Sequence, residues 1–308
     1  MADRYDVAII GGGLAGLTAG MYAARQGLKT VILERMMAGG QVFNVEKLET
    51  FPGFPDGVGG AELGPTVQDQ AIKAGAEFKM AEVDALALKD PYRSLQTSEG
   101  QIDAKAVIVA AGSALRKLGV PGEEEFFGRG ISQCASCDGN FFQDQVVAVI
   151  GGGDSALDEA MVLTEYASKV LIIVRGKQFR AMKAAQELVL AHPKVTVRWN
   201  TVVEEILGEE SVTAIKLKDV ASGDGRQESV SGVFVFVGLE PSTKFLQGIM
   251  PLDPAGHVPV NLWMETKVPG IYAAGDLREH SARQLVSAAG DGATAALAAG
   301  RYIASRSW

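Results

Sequence analysis

The same glycine fingerprint is written twice in this chain, and each copy commits the residues around it to one local architecture. Residues 6–10 form a short apolar run that ends in Gly11-Gly12-Gly13-Leu14-Ala15-Gly16. An alanine-rich stretch from Leu17 to about Gln26 follows, then a second apolar run over residues 30–34 that closes on Glu34. Strand, G-x-G-x-x-G turn, helix and strand in that order predict a βαβ unit. Gly11, Gly13 and Gly16 let the backbone turn tightly and come close to a pyrophosphate at the helix N-terminus. Glu34 is placed to accept hydrogen bonds from a ribose. The second copy runs from residues 146–150 into Gly151-Gly152-Gly153-Asp154-Ser155-Ala156, a helical stretch to about Ala167 and a strand at 170–174. Its third small residue is Ala156, which the motif permits, and its second strand runs out into Arg175 rather than an acid. Arginine there suits a ribose carrying a 2′-phosphate. Two fingerprints, Gly11 and Gly151 standing 140 residues apart, imply two dinucleotides or one duplicated unit with a dead site.

Around these units the pattern suggests an insertion. An apolar strand at 105–112 closes the first unit, and Lys117-Leu118-Gly119-Val120-Pro121-Gly122 reads as a linker. Beyond the second fingerprint, a short strand at 195–199 and charge-alternating segments at 214–220 and 227–230 predict antiparallel β structure. Residues 233–237 read as a fully buried strand. A second linker candidate spans 238–243, and a further apolar strand ends in Gly275-Asp276. The expected fold class is α/β, with two Rossmann-like three-layer dinucleotide-binding domains, one inserted into the other. The outer domain would comprise residues 1–115 plus 244–308, and the inserted one residues 116–243. Two hinge strands side by side would permit rotation of one domain on the other.

The chain's only two cysteines sit together in Cys134-Ala135-Ser136-Cys137-Asp138. A structural zinc site needs four ligands, and the three histidines, His192, His257 and His280, lie far from the pair and from one another in sequence. Redox use is favoured over metal binding, and a cytoplasmic chain with one C-x-x-C fits a catalytic disulfide better than a stabilising one. The net charge of −8 argues against non-specific binding to nucleic acid or anionic membranes. No apolar run approaches the length of a membrane span, and the N-terminus lacks a signal-peptide layout.

Taken in sequence order, these motifs, together with Gly39-Gly40-Gln41, Phe51-Pro52-Gly53, Gly139 and Arg283-Gln284, resemble the low-molecular-weight thioredoxin reductases over essentially the whole chain. The resemblance implies FAD held by Gly11, Gly13, Gly16 and Glu34 at its adenosine end. Gly40, Gln41, Asn44 and Gly112 would lie nearer the flavin, with Asp276 at the ribityl-pyrophosphate and Arg283, Gln284 and Leu285 over the isoalloxazine edge. NADPH would lie on Gly151, Gly153, Asp154, Ser155 and Ala156, with Arg175, Lys177 and Arg180 at its phosphate. By the same resemblance Cys137 faces the flavin, Cys134 is the interchange thiol and Asp138 the acid–base group. The partner would be thioredoxin or a thioredoxin-like protein, and the enzyme a cytoplasmic homodimer. The alternatives are a dithiol oxidase of the same fold, an NADH-preferring reductase of another small redox protein, and a redox-sensing flavoprotein without turnover.

Two departures from the family pattern stand out. The usual His-Arg-Arg-x-x-x-Arg-Ala segment is here Val174-Arg175-Gly176-Lys177-Gln178-Phe179-Arg180-Ala181, so one arginine is glycine. The resulting expectation is NADPH use with a weakened preference over NADH. Ala282 also stands where an aromatic residue often precedes the arginine. Phe141-Phe142 would anchor a protein partner or pack in the core, and the three histidines are expected at the surface or in loops.

Overall fold

Apolar runs become strands buried on both faces, and the periodic stretches become helices that close over them. The computed structural model describes residues 2–308; the side chain of Asn44 lies outside the described residues. The chain divides into two compact units, Met1–Ala114 with Glu240–Trp308, and Leu115–Leu239. In chain order the first unit begins with β1 (Asp3–Ile10), α1 (Leu14–Arg25), β2 (Thr30–Glu34), α2 (Gly60–Lys73) and β3 (Glu77–Met80). It continues with β4 (Val83–Leu88), β5 (Arg93–Thr97), β6 (Gly100–Val109) and the crossing strand β7 (Ser113–Leu115). The second unit holds β8 (Ile131–Ser132), α3 (Ala135–Asp138), β9 (Val146–Ile150), α4 (Asp154–Tyr166), β10 (Lys169–Ile173) and α5 (Lys183–Ala191). After these come β11 (Val195–Arg198), β12 (Thr201–Gly208), β13 (Val212–Asp219), β14 (Gly225–Ser229) and β15 (Gly232–Val235). The returning crossing is β16 (Leu239–Pro241), and β17 (Ile271–Ala273) and α6 (Leu285–Ala304) complete the first unit.

The first unit's sheet runs β3-β2-β1-β6-β5-β4. β6 is shared along its length: Gly100–Ala104 pair antiparallel with β5, while Val107–Val109 pair parallel with β17. Side chains alternate across β1 as a pleated strand requires. Val7 and Ile9 join the core under α1, α2 and α6, whereas Ala8 and Ile10 join a second core with Leu95, Leu246 and Val258 on the opposite face. α1 and α6 approach closely because both are rich in small residues. A Cβ on Gly292 would lie 2.0 Å from the Ala15 carbonyl oxygen.

The second unit is a parallel sheet, β11-β10-β9-β15-β8, with α4 and α5 on one face and the antiparallel β12-β13-β14 on the other. Val147, Val149 and Ile172 point to the helices, and Ala148, Ile150 and Leu171 to the antiparallel layer. The C-x-x-C follows directly on the edge strand β8.

The crossing strands β7 and β16 pair with one another. Arg116 N–H donates to the Gly238 carbonyl at 2.9 Å, and Ser242 N–H to the Gly112 carbonyl at 3.0 Å. The expected linker at 118–122 is tied into the second unit instead. Glu123, buried, accepts from the N–H groups of Leu118 and Gly119 at 2.7 and 2.6 Å, and Ile206 N–H donates to the Pro121 carbonyl. Among the described residues no helix is long and apolar enough to cross a membrane.

Candidate active site

Cys134 and Cys137 form a disulfide, with Cα atoms 5.4 Å apart. Cys134 caps the short α3, and its Sγ accepts the Cys137 N–H at 3.2 Å. Cys134 is 8% exposed, whereas Cys137 is exposed. Ser132, buried at the end of β8, organises the turn. Its hydroxyl accepts from Cys134 N–H at 3.0 Å and donates to Asp138 Oδ2 at 2.6 Å. Asp138 is thereby tied back to the strand that precedes the motif, at a residue six positions upstream. Phe142 is buried edge-on against Phe234, while Phe141 is 71% exposed, so the aromatic pair divides between core and surface.

A residue that sequence reasoning missed sits behind this turn. Glu159, on α4, accepts the Ala135 N–H through Oε2. Burial pushes its carboxyl up to about 7, against the lowering effect of the Ala135 N–H and with a further upward push from Asp158. No spacing rule links Glu159 to Cys134, because the contact crosses from one element to another.

The first fingerprint brings its residues together in the first unit. α1 starts at Gly13, which makes no side-chain capping bond. Gly16 packs on the turn itself, where a Cβ would lie 1.8 Å from the Gly11 carbonyl oxygen. Glu34 Oε2 accepts Gly12 N–H at 2.6 Å and Oε1 accepts Met36 N–H at 2.9 Å, so part of its carboxylate is already committed to shaping the loop. Gly39 N–H donates to the Gly12 carbonyl, a Cβ at Gly40 would lie 3.5 Å from Gly13 Cα, and Gln41 Nε2 donates to the Ser113 carbonyl next to Gly112. Ser113 Oγ is buried without a hydrogen-bond partner among the described residues. Asp276 follows β17; burial raises its pKa, while the Arg283 charge and a 3.5 Å hydroxyl contact from Ser281 pull the other way. Buried Asp291, inside α6, fixes this corner by accepting Gly275 N–H and pairing with Arg278 Nε at 2.6 Å. An open helix N-terminus, free space at Gly13, an orphaned hydroxyl and a desolvated carboxyl fit a flavin dinucleotide.

Arg283 and Gln284 lead into α6, and Leu285 is its first residue. Arg283 has a left-handed backbone, φ 54°, and lines a cavity of about 270 Å³ with Asp253, His257, Arg278 and Glu279. His257 lies in a loop, as expected from the sequence, and it has partners there that sequence spacing did not announce. Its Nδ1 lies 3.0 Å from Asp253 Oδ2, which places the proton there and leaves Nε2 to face Arg283 at 3.5 Å. Burial pushes the Asp253 carboxyl up, but the His257 N–H, its ring and the Ala255 N–H outweigh this and hold it below the ordinary range.

The second fingerprint repeats the first in the second unit. α4 starts at the uncapped Gly153, with open space at that glycine, Asp154 and Ser155 in the first turn and Ala156 buried beneath. Gly151 has φ 147°. Asp154 Oδ1 accepts Met182 N–H, and Arg180 N–H donates to the Gly152 carbonyl, so the segment after β10 is pinned beside the loop. Arg175, Lys177 and Arg180 are exposed, and no salt bridge engages them among the described residues. This donor set fits a phosphorylated nicotinamide dinucleotide.

Two phosphate-ready loops on separate units, with a disulfide on the second, define a dinucleotide-dependent disulfide oxidoreductase. A family model described as pyridine nucleotide-disulphide oxidoreductase matches residues 5–293. Thioredoxin reductase of Treponema pallidum is 42% identical over 306 residues, 98% of each chain. A bifunctional thioredoxin reductase/thioredoxin of Mycobacterium leprae is 40% identical over 97% of this chain and 66% of its own. The crystal structure of Lactococcus lactis thioredoxin reductase superimposes with a TM-score of 0.96 at 38% identity, covering 98% of this chain and all of that one. The chain belongs to the low-molecular-weight thioredoxin reductase family. Membership implies a flavin and a pyridine nucleotide.

Proposed function

We propose that the chain is an FAD-containing, NADPH-dependent thioredoxin reductase. The observation that carries this reading is a C-x-x-C disulfide on the unit that also bears the second phosphate loop. FAD would be held in the first unit by residues 11–16, Glu34, Gly40, Gln41, Asn44, Gly112, Asp276 and Arg283–Leu285. NADPH would lie on residues 151–156, its 2′-phosphate met by Arg175, Lys177 and Arg180. A flavin held by these residues would supply two-electron chemistry between the nicotinamide hydride and the disulfide.

The rest of the work falls to this chain's own residues. In the disulfide Cys137 is the more exposed of the two cysteines, and on that ground it would be the one to meet a partner once the pair is reduced. Its thiolate attacks one sulfur of the partner's disulfide; that S–S bond breaks, and the leaving sulfur takes a proton. Cys134, whose negative charge the Cys137 N–H stabilises, then attacks Cys137 Sγ. The internal disulfide closes, and the partner leaves as a dithiol with two electrons and two protons gained. Asp138, oriented by Ser132, is the carboxyl beside the pair that exchanges these protons. Exposure thus supports exchanging the roles that the family resemblance implies, with Cys137 meeting the partner and Cys134 resolving. The M. leprae relative, which joins reductase and thioredoxin in its name, supports thioredoxin as that partner.

Steady-state reduction of a panel of thioredoxins with NADPH and NADH tests the proposal. The expected result is nicotinamide-dependent turnover that either cysteine-to-serine change abolishes. In addition, Cys134→Ser should accumulate a mixed disulfide with thioredoxin through Cys137; accumulation only in Cys137→Ser would restore the roles implied by resemblance. A flavin bleached anaerobically by dithiols but not by NADPH would overturn the reductase reading in favour of an oxidase, which no observation here favours. On family resemblance we further propose a cytoplasmic homodimer. Light scattering at the single-chain mass of 32.4 kDa would overturn the dimer.

A further inference from the structure

Glu159 is a carboxylate bonded to the interior of the redox motif. Its acceptor bond goes to the amide of Ala135, the residue joined directly to Cys134, and the side chain arrives from the helix that also presents the second phosphate loop. We propose that Glu159 is a positioning residue for the redox pair: its carboxylate fixes the C-x-x-C turn through Ala135 and its charge biases the pair toward the disulfide.

The bias follows from charge balance. Opening the Cys134–Cys137 bond takes two electrons and places negative charge on sulfur wherever a thiol is ionised. A carboxylate one hydrogen bond from the adjoining amide opposes that charge in a partly desolvated site, whereas a protonated carboxyl does not. Burial holds Glu159 near neutrality in its titration, at about 7, so the bias is present above that pH and absent below it. The surrounding charges leave this intact. Of the elements packed on α4, β9 and residues 139–142 carry no ionisable side chain, α5 carries Lys183 and Glu187 paired to each other at 3.6 Å, and β10 carries Lys169. The turn itself carries Asp138, bonded to Ser132, and α4 carries Asp154, bonded to Met182 N–H, together with Asp158, Glu165 and Tyr166.

The inference rests on the pair being redox-active, and one experiment separates the two. The full-length holoprotein is equilibrated with glutathione at graded ratios, two glutathiones giving their electrons to the pair and leaving as one disulfide. Free thiols are then trapped by alkylation and counted by mass spectrometry. Glu159→Gln keeps an acceptor for Ala135 and removes the charge. The expected result is a shift of about tenfold toward dithiol at pH 8, equivalent to ~30 mV, and coincidence with wild type at pH 5.5. Curves that coincide at both pH values, or an equal offset at both, overturn the proposal. A pair that never exchanges with glutathione overturns the redox reading and this proposal with it. Wild type gives a second readout that needs no variant. At pH 7 its reduction protonates a carboxyl and adds a C=O band to the infrared difference spectrum; an unchanged carboxyl region overturns the proposal.

Discussion

At the scale of single residues, two positions make the reading testable. Gly176 stands where the expected family pattern has an arginine, and the space around it is open: a Cβ there would meet only Gln178 backbone atoms at 3.8 and 4.0 Å. Gly176→Arg should therefore be accommodated and should add one charge-assisted hydrogen bond to a 2′-phosphate, about 1.5–3 kcal/mol. The expected outcome is a rise of roughly 10- to 150-fold in the ratio of kcat/KM for NADPH over NADH. An unchanged ratio would mean that Lys177 already supplies the contact. Glu159 makes a prediction about stability. Its pKa is 4.5 in the unfolded chain and about 7 in the fold, so between those values the folded protein holds the proton more tightly. Its contribution is present below pH 4.5 and is lost as pH rises through 7. The loss is at most about 3 kcal/mol, less what solvent screens for a partly buried group. Denaturant titrations of wild type and Glu159→Gln should diverge across that window, the variant becoming relatively more stable as pH rises; parallel curves would refute the shift.

At the scale of elements, α6 does more than cover the sheet. Asp291 in its middle makes a two-point pair with Arg278, Nε–Oδ2 at 2.6 Å and Nη2–Oδ1 at 3.0 Å, and holds Gly275 N–H. Asp291→Ala leaves a partly buried guanidinium with only the Glu279 carbonyl, and up to about 3 kcal/mol of stability should be lost. A loss under 1 kcal/mol by chemical unfolding would show that water replaces the carboxylate. The elements also show where the sequence was readable. β2 and β9 lie at the apolar runs that announced them, because a parallel strand buried on both faces carries a continuous signal. β4 went unread: its burial alternates poorly, with a single buried residue, Leu86, in six. The phosphate loops were legible because glycine spacing is local chemistry. Glu159 and the Asp253–His257–Arg283 cluster were not, because the sheet and helices bring together residues whose sequence separation carries no rule.

At the scale of the whole molecule, the chain passes between its units twice, at β7 and β16, and these crossings pair with one another. With residues 118–122 clamped by Glu123, any swivel falls on the short stretches around Gly112–Arg116 and Gly238–Ser242. A cysteine cross-link joining the two units should then allow either reduction of the flavin by NADPH or turnover of thioredoxin, but not both. Unchanged steady-state turnover in the cross-linked protein would rule out alternation between two arrangements. The interrupted first unit also has a consequence for how the protein is made. β6 exposes the C-terminal half of its edge until β17 arrives, and α1 lacks its packing partner until α6 does, yet both latecomers lie beyond residue 270. A ribosome that has finished the first phosphate loop has still to synthesise the inserted unit before the cradle can close. Closure of the flavin cradle therefore waits for the C-terminal segments, and a chain that ends before residue 270 carries the fingerprint without the elements that complete its unit.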